Sequence, residues 1–177
     1  MNLLTIAFIL SLSPIVSAQI TPVIEHNDIP TIEPLRLSGP RVGVTYINQP
    51  TKVQVDGFGL DSGMTVNPLV SQFGWQFEWK YFETANGSAG LFEFIPLIGG
   101  LDQGMFIPSA NMLVGYRTPE GWEIGFGPNL SLVGTGFIIA GGYTFKSGYM
   151  NFPVNVGIIP GKENTRISIL IGWNKRS

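Results

Sequence analysis

Phe73-Gly74-Trp75-Gln76-Phe77-Glu78-Trp79-Lys80-Tyr81 is the stretch that decides the fold. Every odd position is aromatic, and every even position is Gly, Gln, Glu or Lys. Residues two apart share one face of a β-strand, so this segment presents a row of large rings on one side and small or charged groups on the other. The same period recurs in Trp122-Glu123-Ile124-Gly125-Phe126-Gly127, which continues through Asn129-Leu130-Ser131-Leu132. Asn151-Phe152-Pro153-Val154-Asn155-Val156-Gly157-Ile158 and Arg166-Ile167-Ser168-Ile169-Leu170-Ile171-Gly172-Trp173 repeat it. Working outward from these, the chain divides into eight predicted strands: 40–48, 70–83, 89–99, 106–118, 121–132, 135–147, 149–159 and 164–175. Segments 89–99 and 135–147 alternate only in part. No segment follows a 3.6-residue period, so almost no helix is expected in the mature chain.

Bulk decides which face points inward. A soluble barrel or sandwich turns its large apolar face to the core and its polar face to water. The aromatic row of 73–81, joined by Trp, Ile and Phe from neighbouring strands, would overfill the interior of a small barrel. The Gly, Ser and Asn positions are too small to form a water-facing cover. A membrane barrel places the large residues against lipid and the small and polar ones in the lumen, and most of the segments have the roughly ten residues a tilted strand needs to cross a bilayer. The predicted fold class is therefore all-β: an antiparallel, eight-stranded transmembrane β-barrel with up-and-down meander topology.

The connections fit this arrangement. With the N-terminus on the periplasmic side, the turns after the second, fourth and sixth strands are short: Thr84 to Ser88, Thr118-Pro119-Glu120-Gly121 and Ser147-Gly148. The longest connection, about Gln49 to Leu69, would lie on the cell surface. Tyr81, Tyr116, Trp122, Tyr149 and Trp173 collect at the periplasmic strand ends, where an interfacial aromatic girdle is expected.

Composition supports an exported envelope protein. The 177 residues are 44% hydrophobic and only 12% charged, against about 25% charged in soluble domains. A net charge of -2 without a basic run leaves no footprint for nucleic acid. The absence of cysteine excludes disulfides, thiolate metal sites, a Cys nucleophile and a cysteine lipid anchor. The apolar run Leu3 to Val16, followed by Val16-Ser17-Ala18, predicts a cleaved signal peptide over 1–18. Residues 19–38, with Pro22, Pro30 and Pro34, form an extended lead-in that holds the single histidine, His26. The barrel domain spans 39–177.

From Arg41 to Lys175 the chain resembles the small eight-stranded outer-membrane barrels of Gram-negative bacteria, of the OmpA/OmpX type. The resemblance is one of architecture and implies location in the cell outer membrane. It departs from such families at its end, where Trp173 is followed by Asn174-Lys175-Arg176-Ser177 in place of a terminal aromatic. Pro96, Pro108, Pro128 and Pro153 fall in or near the strands, and each removes a ladder donor, so bulges or strand ends are expected there.

The lumen of eight strands is about wide enough for side chains to fill it. Seven charges face inward on this register: Arg41, Glu78, Lys80, Glu93, Arg117, Glu123 and Arg166. Four are positive and three negative, a balance that suggests mutually paired ions closing the lumen. No catalytic set emerges, because His26 precedes the first strand and no Ser-His-Asp combination can be assembled. Asp56 and Asp61 lack the ligand density of a calcium loop, and no cofactor or metal site is expected. The expected function is a structural or interaction role in the cell envelope, with outer-membrane lipid around the barrel and a protein partner reached through 49–69 or 19–38. Two alternatives are a small channel and a secreted lipocalin-like barrel with the faces inverted. A charge on the lipid face, as in Trp79→Asp, should impair insertion more than Gln76→Asp in the lumen.

Overall fold

The structure, a computed structural model, describes residues 37–49, 51–52, 65–162 and 164–175. The predicted signal peptide, His26, the lead-in up to residue 36 and the centre of the 49–69 connection lie outside the described residues.

Eight strands form the barrel: β1 (Gly39–Ile47), β2 (Leu69–Glu83), β3 (Ala89–Gly99), β4 (Ile107–Arg117), β5 (Trp122–Ser131), β6 (Gly136–Ser147), β7 (Met150–Ile159) and β8 (Arg166–Gly172). After Trp173, Asn174–Lys175 resumes pairing with β7. Each strand pairs antiparallel with its sequence neighbour, and β8 returns to β1 with Arg41 opposite Gly172 and Ile47 opposite Arg166. The sheet is thus closed and has no free edge. Carried once around the ring, the registers return to β1 displaced by about ten residues, a stagger that tilts the strands by roughly 40–45°. The observed strand ends agree with the sequence expectation to within two residues, except that β8 stops at Gly172 where 175 was expected.

One end of the barrel carries the start of β1 and the three tight turns. Gly121, at φ 102, occupies the backbone region that glycine takes without cost, and its N–H donates to Thr118 O at 3.1 Å. The other end carries the longer connections. There Thr51–Lys52 pairs with Thr65–Val66 in a short ribbon, and Leu101–Gln103 forms one 3-10 turn.

The prolines depart from expectation. Pro108 is the second residue of β4, but Pro96, Pro128 and Pro153 lie inside strands. Each sits at a local break in pairing with one neighbour. The β2–β3 ladder is interrupted between Gly74–Leu97 and Phe77–Phe94, opposite Pro96. The β4–β5 ladder breaks between Asn111–Asn129 and Val114–Phe126, at Pro128. The β7–β8 ladder breaks between Val154–Ile171 and Asn151–Asn174, at Pro153. A missing N–H opens the ladder on one side while the strand continues on the other. The register shift in the β2–β3 pair, between Lys80 and Phe82, has no proline.

The faces are those of a membrane barrel. Val42, Val44, Phe73, Trp75, Phe77, Trp79, Ile124, Phe126, Ile139, Ile158, Ile169 and Ile171 are exposed on the outside. Trp79 is 53% exposed, whereas Gln76, on the opposite face of the same strand, is 2% exposed. From Leu69 to Tyr81, at about 3.3 Å per residue and this tilt, the apolar exterior is about 28 Å tall, enough for the hydrocarbon core of an outer membrane. A lipocalin-like barrel would hold these rings inside. This fold is instead an eight-stranded transmembrane barrel with a meander order.

Candidate functional site

The interior is the candidate site, because it gathers the chain's buried polar and charged groups. At the end that carries the tight turns, strand register brings four of the predicted charges together. Glu78 of β2 lies directly opposite Glu93 of β3, and Arg117 of β4 directly opposite Glu123 of β5. Two carboxylates side by side repel, and the Arg117 guanidinium relieves this by reaching both strands. Its Nη1 donates to Glu78 Oε1 at 2.9 Å and its Nη2 to Glu78 Oε2 at 2.5 Å, a forked pair. Its Nε donates to Glu123 Oε2 at 2.8 Å, and Nη2 lies 4.0 Å from Glu93 Oε1. A buried cluster of this kind is costly to break because any member left alone is an uncompensated charge.

Gln76 extends the network toward β1. Its Nε2 donates to Glu93 Oε1, and its Oε1 accepts from Arg41 Nε at 2.9 Å. Arg41 then donates from Nη2 to Leu37 O at 2.8 Å and from Nη1 to Pro40 O at 3.0 Å. Gly172 leaves the space this side chain needs, since a Cβ there would come within 2.1 Å of Arg41 Nη1. Ser38 Oγ accepts from the Glu78 N–H at 3.0 Å, so the last residues of the lead-in are tied to this end of the barrel. Lys80 pairs with Glu83 at 3.8 Å. The structure therefore places Arg41, Glu78, Lys80, Glu93, Arg117 and Glu123 in one half of the lumen. Arg166 stands apart, at the opposite end, beside Ile47 and Ile159.

Gln76 faces the lumen, as its place in the alternation implied. As a bridge between Arg41 and Glu93 it is a tightly held position, and a carboxylate there would face Glu93 without a donor between them.

Beyond the charges, two apolar clusters fill much of the lumen. Ile95, Leu97, Leu113, Ile138, Ile159 and Leu170 form a buried cluster, with Ala140 against it. Ile47, Val66, Val70, Met105 and Ile107 form a second cluster toward the loop end, with Leu132 and Val133 packed on it. Sequence reasoning missed both, because strands such as 89–99 carry apolar residues on their two faces. Between the clusters, Thr45 Oγ1 lies 2.7 Å from both Gln72 Oε1 and Ser168 Oγ, and Asn129 Nδ2 donates to Asn111 Oδ1 at 2.6 Å. Two cavities of about 30 Å³ lie in the lumen, each with room for a water molecule or two.

On the exterior, Tyr81, Tyr116, Trp122, Tyr149 and Trp173 all lie exposed around the tight-turn end. Tyr81 packs edge-on to Phe82 at 5.2 Å, and Phe82 lies 6.4 Å from Tyr116. Trp122 lies 4.8 Å from Tyr143. The loop end carries its own exposed Tyr46, Leu69, Phe106 and Phe137, a set the sequence reading did not single out.

No family model matches the chain, and no curated protein matches it. Among solved structures it is similar to Ail, the attachment invasion locus protein of Yersinia pestis, in complex with the heparin analogue sucrose octasulfate, at 12% identity and a TM-score of 0.34, over 79% of this chain and 97% of that one. A second crystal structure of Ail is similar at 13% identity and a TM-score of 0.28, over the same shares of the two chains.

Proposed function

We propose that this protein is an integral barrel of the cell outer membrane whose lumen is closed, and that it serves as an anchor for an interaction in the envelope. The carrying observation is the contrast between an apolar, ring-rich exterior and an interior filled by an ion cluster and two apolar clusters. A lumen packed in this way favours an anchoring role over passage of solutes, since a conducting pore needs a continuous wet path. Among the described residues, the three lumen carboxylates are held in place, Glu78 and Glu123 by Arg117 and Glu93 by Gln76, which supports a structural role for them. The recognition surface would be the 49–69 connection, with the 19–38 lead-in as the second candidate for contact with a protein partner.

Planar-bilayer recording of the purified full-length protein tests this reading. A folded preparation should leave the bilayer as silent as a protein-free control. Stepwise ohmic conductance would overturn the closed-lumen reading and make the small channel the better account.

A further inference from the structure

Three buried side-chain atoms in the middle of the lumen lack a partner. Among the described residues, Ser109 Oγ, Asn129 Oδ1 and Asn155 Oδ1 make no hydrogen bond within the chain. An amide or hydroxyl oxygen taken out of water without a partner costs the fold stability, and native structures leave few of them. Crowding does not force this cost. All three residues line cavities: Ser109 and Asn129 the one toward the loop end, and Asn155 the one beside the ion cluster.

Each cavity measures about 30 Å³, more than one water molecule requires. The two are neighbours, since Leu97, Asn111 and Ser168 line both. The first lies between two hydrogen-bonded sets on facing walls. Thr45 with Gln72 and Ser168 belongs to β1, β2 and β8, and Asn129 with Asn111 to β5 and β4. Ile47, Val66, Val70 and Ile107 of the loop-end apolar cluster line it as well and form its roof. The second cavity has Glu93 and Glu123 in its lining, which already accept from Gln76 and Arg117. An amide oxygen takes a donor and a serine hydroxyl takes either kind of partner, so the guest is a small molecule that both donates and accepts.

From this we infer that each cavity holds ordered water, bonded to Ser109 and Asn129 in the first and to Asn155 in the second. These waters join the polar residues of the facing walls. Through Asn111 and Ser168, which border both cavities, they extend the hydrogen bonding to the edge of the ion cluster. The inference rests on the closed-lumen reading, because the apolar roof is what keeps the water from exchanging freely. Water is then a structural part of the filling, held until the roof opens.

The test uses the folded full-length protein in detergent micelles, with protein-free micelles as the blank. Oxygen-17 relaxation dispersion of the solvent counts the waters that stay bound for longer than the particle takes to tumble. The wild-type protein should show a dispersion step well above the blank. Gly125→Ala fills part of the second cavity without strain, because a Cβ there meets its neighbours at 3.5–3.6 Å. Asn129→Leu removes the acceptor of the first. Each substitution should lower the step by about half, and the two together should abolish it. Gly125→Ala decides the matter if Asn129→Leu does not fold. A wild-type protein with no step, or a step that neither substitution lowers, would overturn the inference. Planar-bilayer recording of the same preparation separates the two readings. A silent bilayer with no step means a lumen that is closed but dry, whereas conductance with no step means that the lumen is open.

Discussion

At the tight-turn end of the lumen, Arg117 is surrounded by Glu78, Glu93 and Glu123, whereas at the loop end Ile47, Val66, Val70, Met105 and Ile107 close the same cross-section with hydrocarbon. Both fill a space of similar width, set by eight strands. Their energetics differ. An ion cluster contributes little net stability when intact and is severely damaged by loss of one member. An apolar cluster loses stability in proportion to the cavity each truncation leaves. The charged end is accordingly all-or-none and fixes strand partners, while the apolar end is graded and tolerant.

The largest expected effect breaks the charged end. Arg117→Met strands three carboxylates and should cost about 3–5 kcal/mol in reversible urea unfolding. Exchanging Glu78, Glu93 and Glu123 for Gln in that same background should recover most of the loss, an outcome that simple cavity formation would not produce. At the apolar end, Ile107→Ala should cost about 2–4 kcal/mol. Combined with Arg117→Met, its cost should add to within about 0.5 kcal/mol, because the two clusters share no partner. Coupling much larger than that would show that the two ends are one unit.

Turning from inside to outside, Trp79→Asp should reduce insertion by about 2 kcal/mol in a vesicle-folding titration, less if the site lies near the headgroups. The smallest effect lies in the loop-end rim. Ser71 donates to Asp102 from its hydroxyl and, at 3.3 Å, from its N–H. The Ser71 hydroxyl holds the Asp102 carboxyl below the usual carboxylate range. A lowered folded-state value means the contribution is present above the unfolded value, about 3.9, and is lost as pH falls through the folded one. The stability difference between wild type and Asp102→Asn should therefore be at most about 0.5 kcal/mol near neutral pH and vanish under acid. A difference that grows as pH falls would reverse the assignment.

Strand existence and facing were legible because one face of each strand meets lipid and the other a crowded lumen, so alternation is steep wherever a polar residue faces inward. Phe73 to Tyr81 is the clearest case. The apolar clusters were not legible, since Leu91, Ile95 and Leu97 share β3 with outward Phe92 and Ile98, and no period separates two apolar faces. The prolines were misread because a single missing N–H signals a ladder gap as readily as a strand end. The count of four cations to three anions was visible in the sequence. That the fourth cation, Arg166, sits at the far end emerges only from the register, as does the demanding role of Gln76.

The central claim is that the ring-rich face lies in the membrane and the lumen is packed shut into a stable barrel. Heat-modifiability of the protein in isolated outer membranes tests it most directly. The account predicts that the protein stays with the membrane fraction and migrates differently on a denaturing gel before and after boiling, as a folded barrel that resists detergent. Recovery in the soluble fraction, with one mobility regardless of boiling, would contradict it.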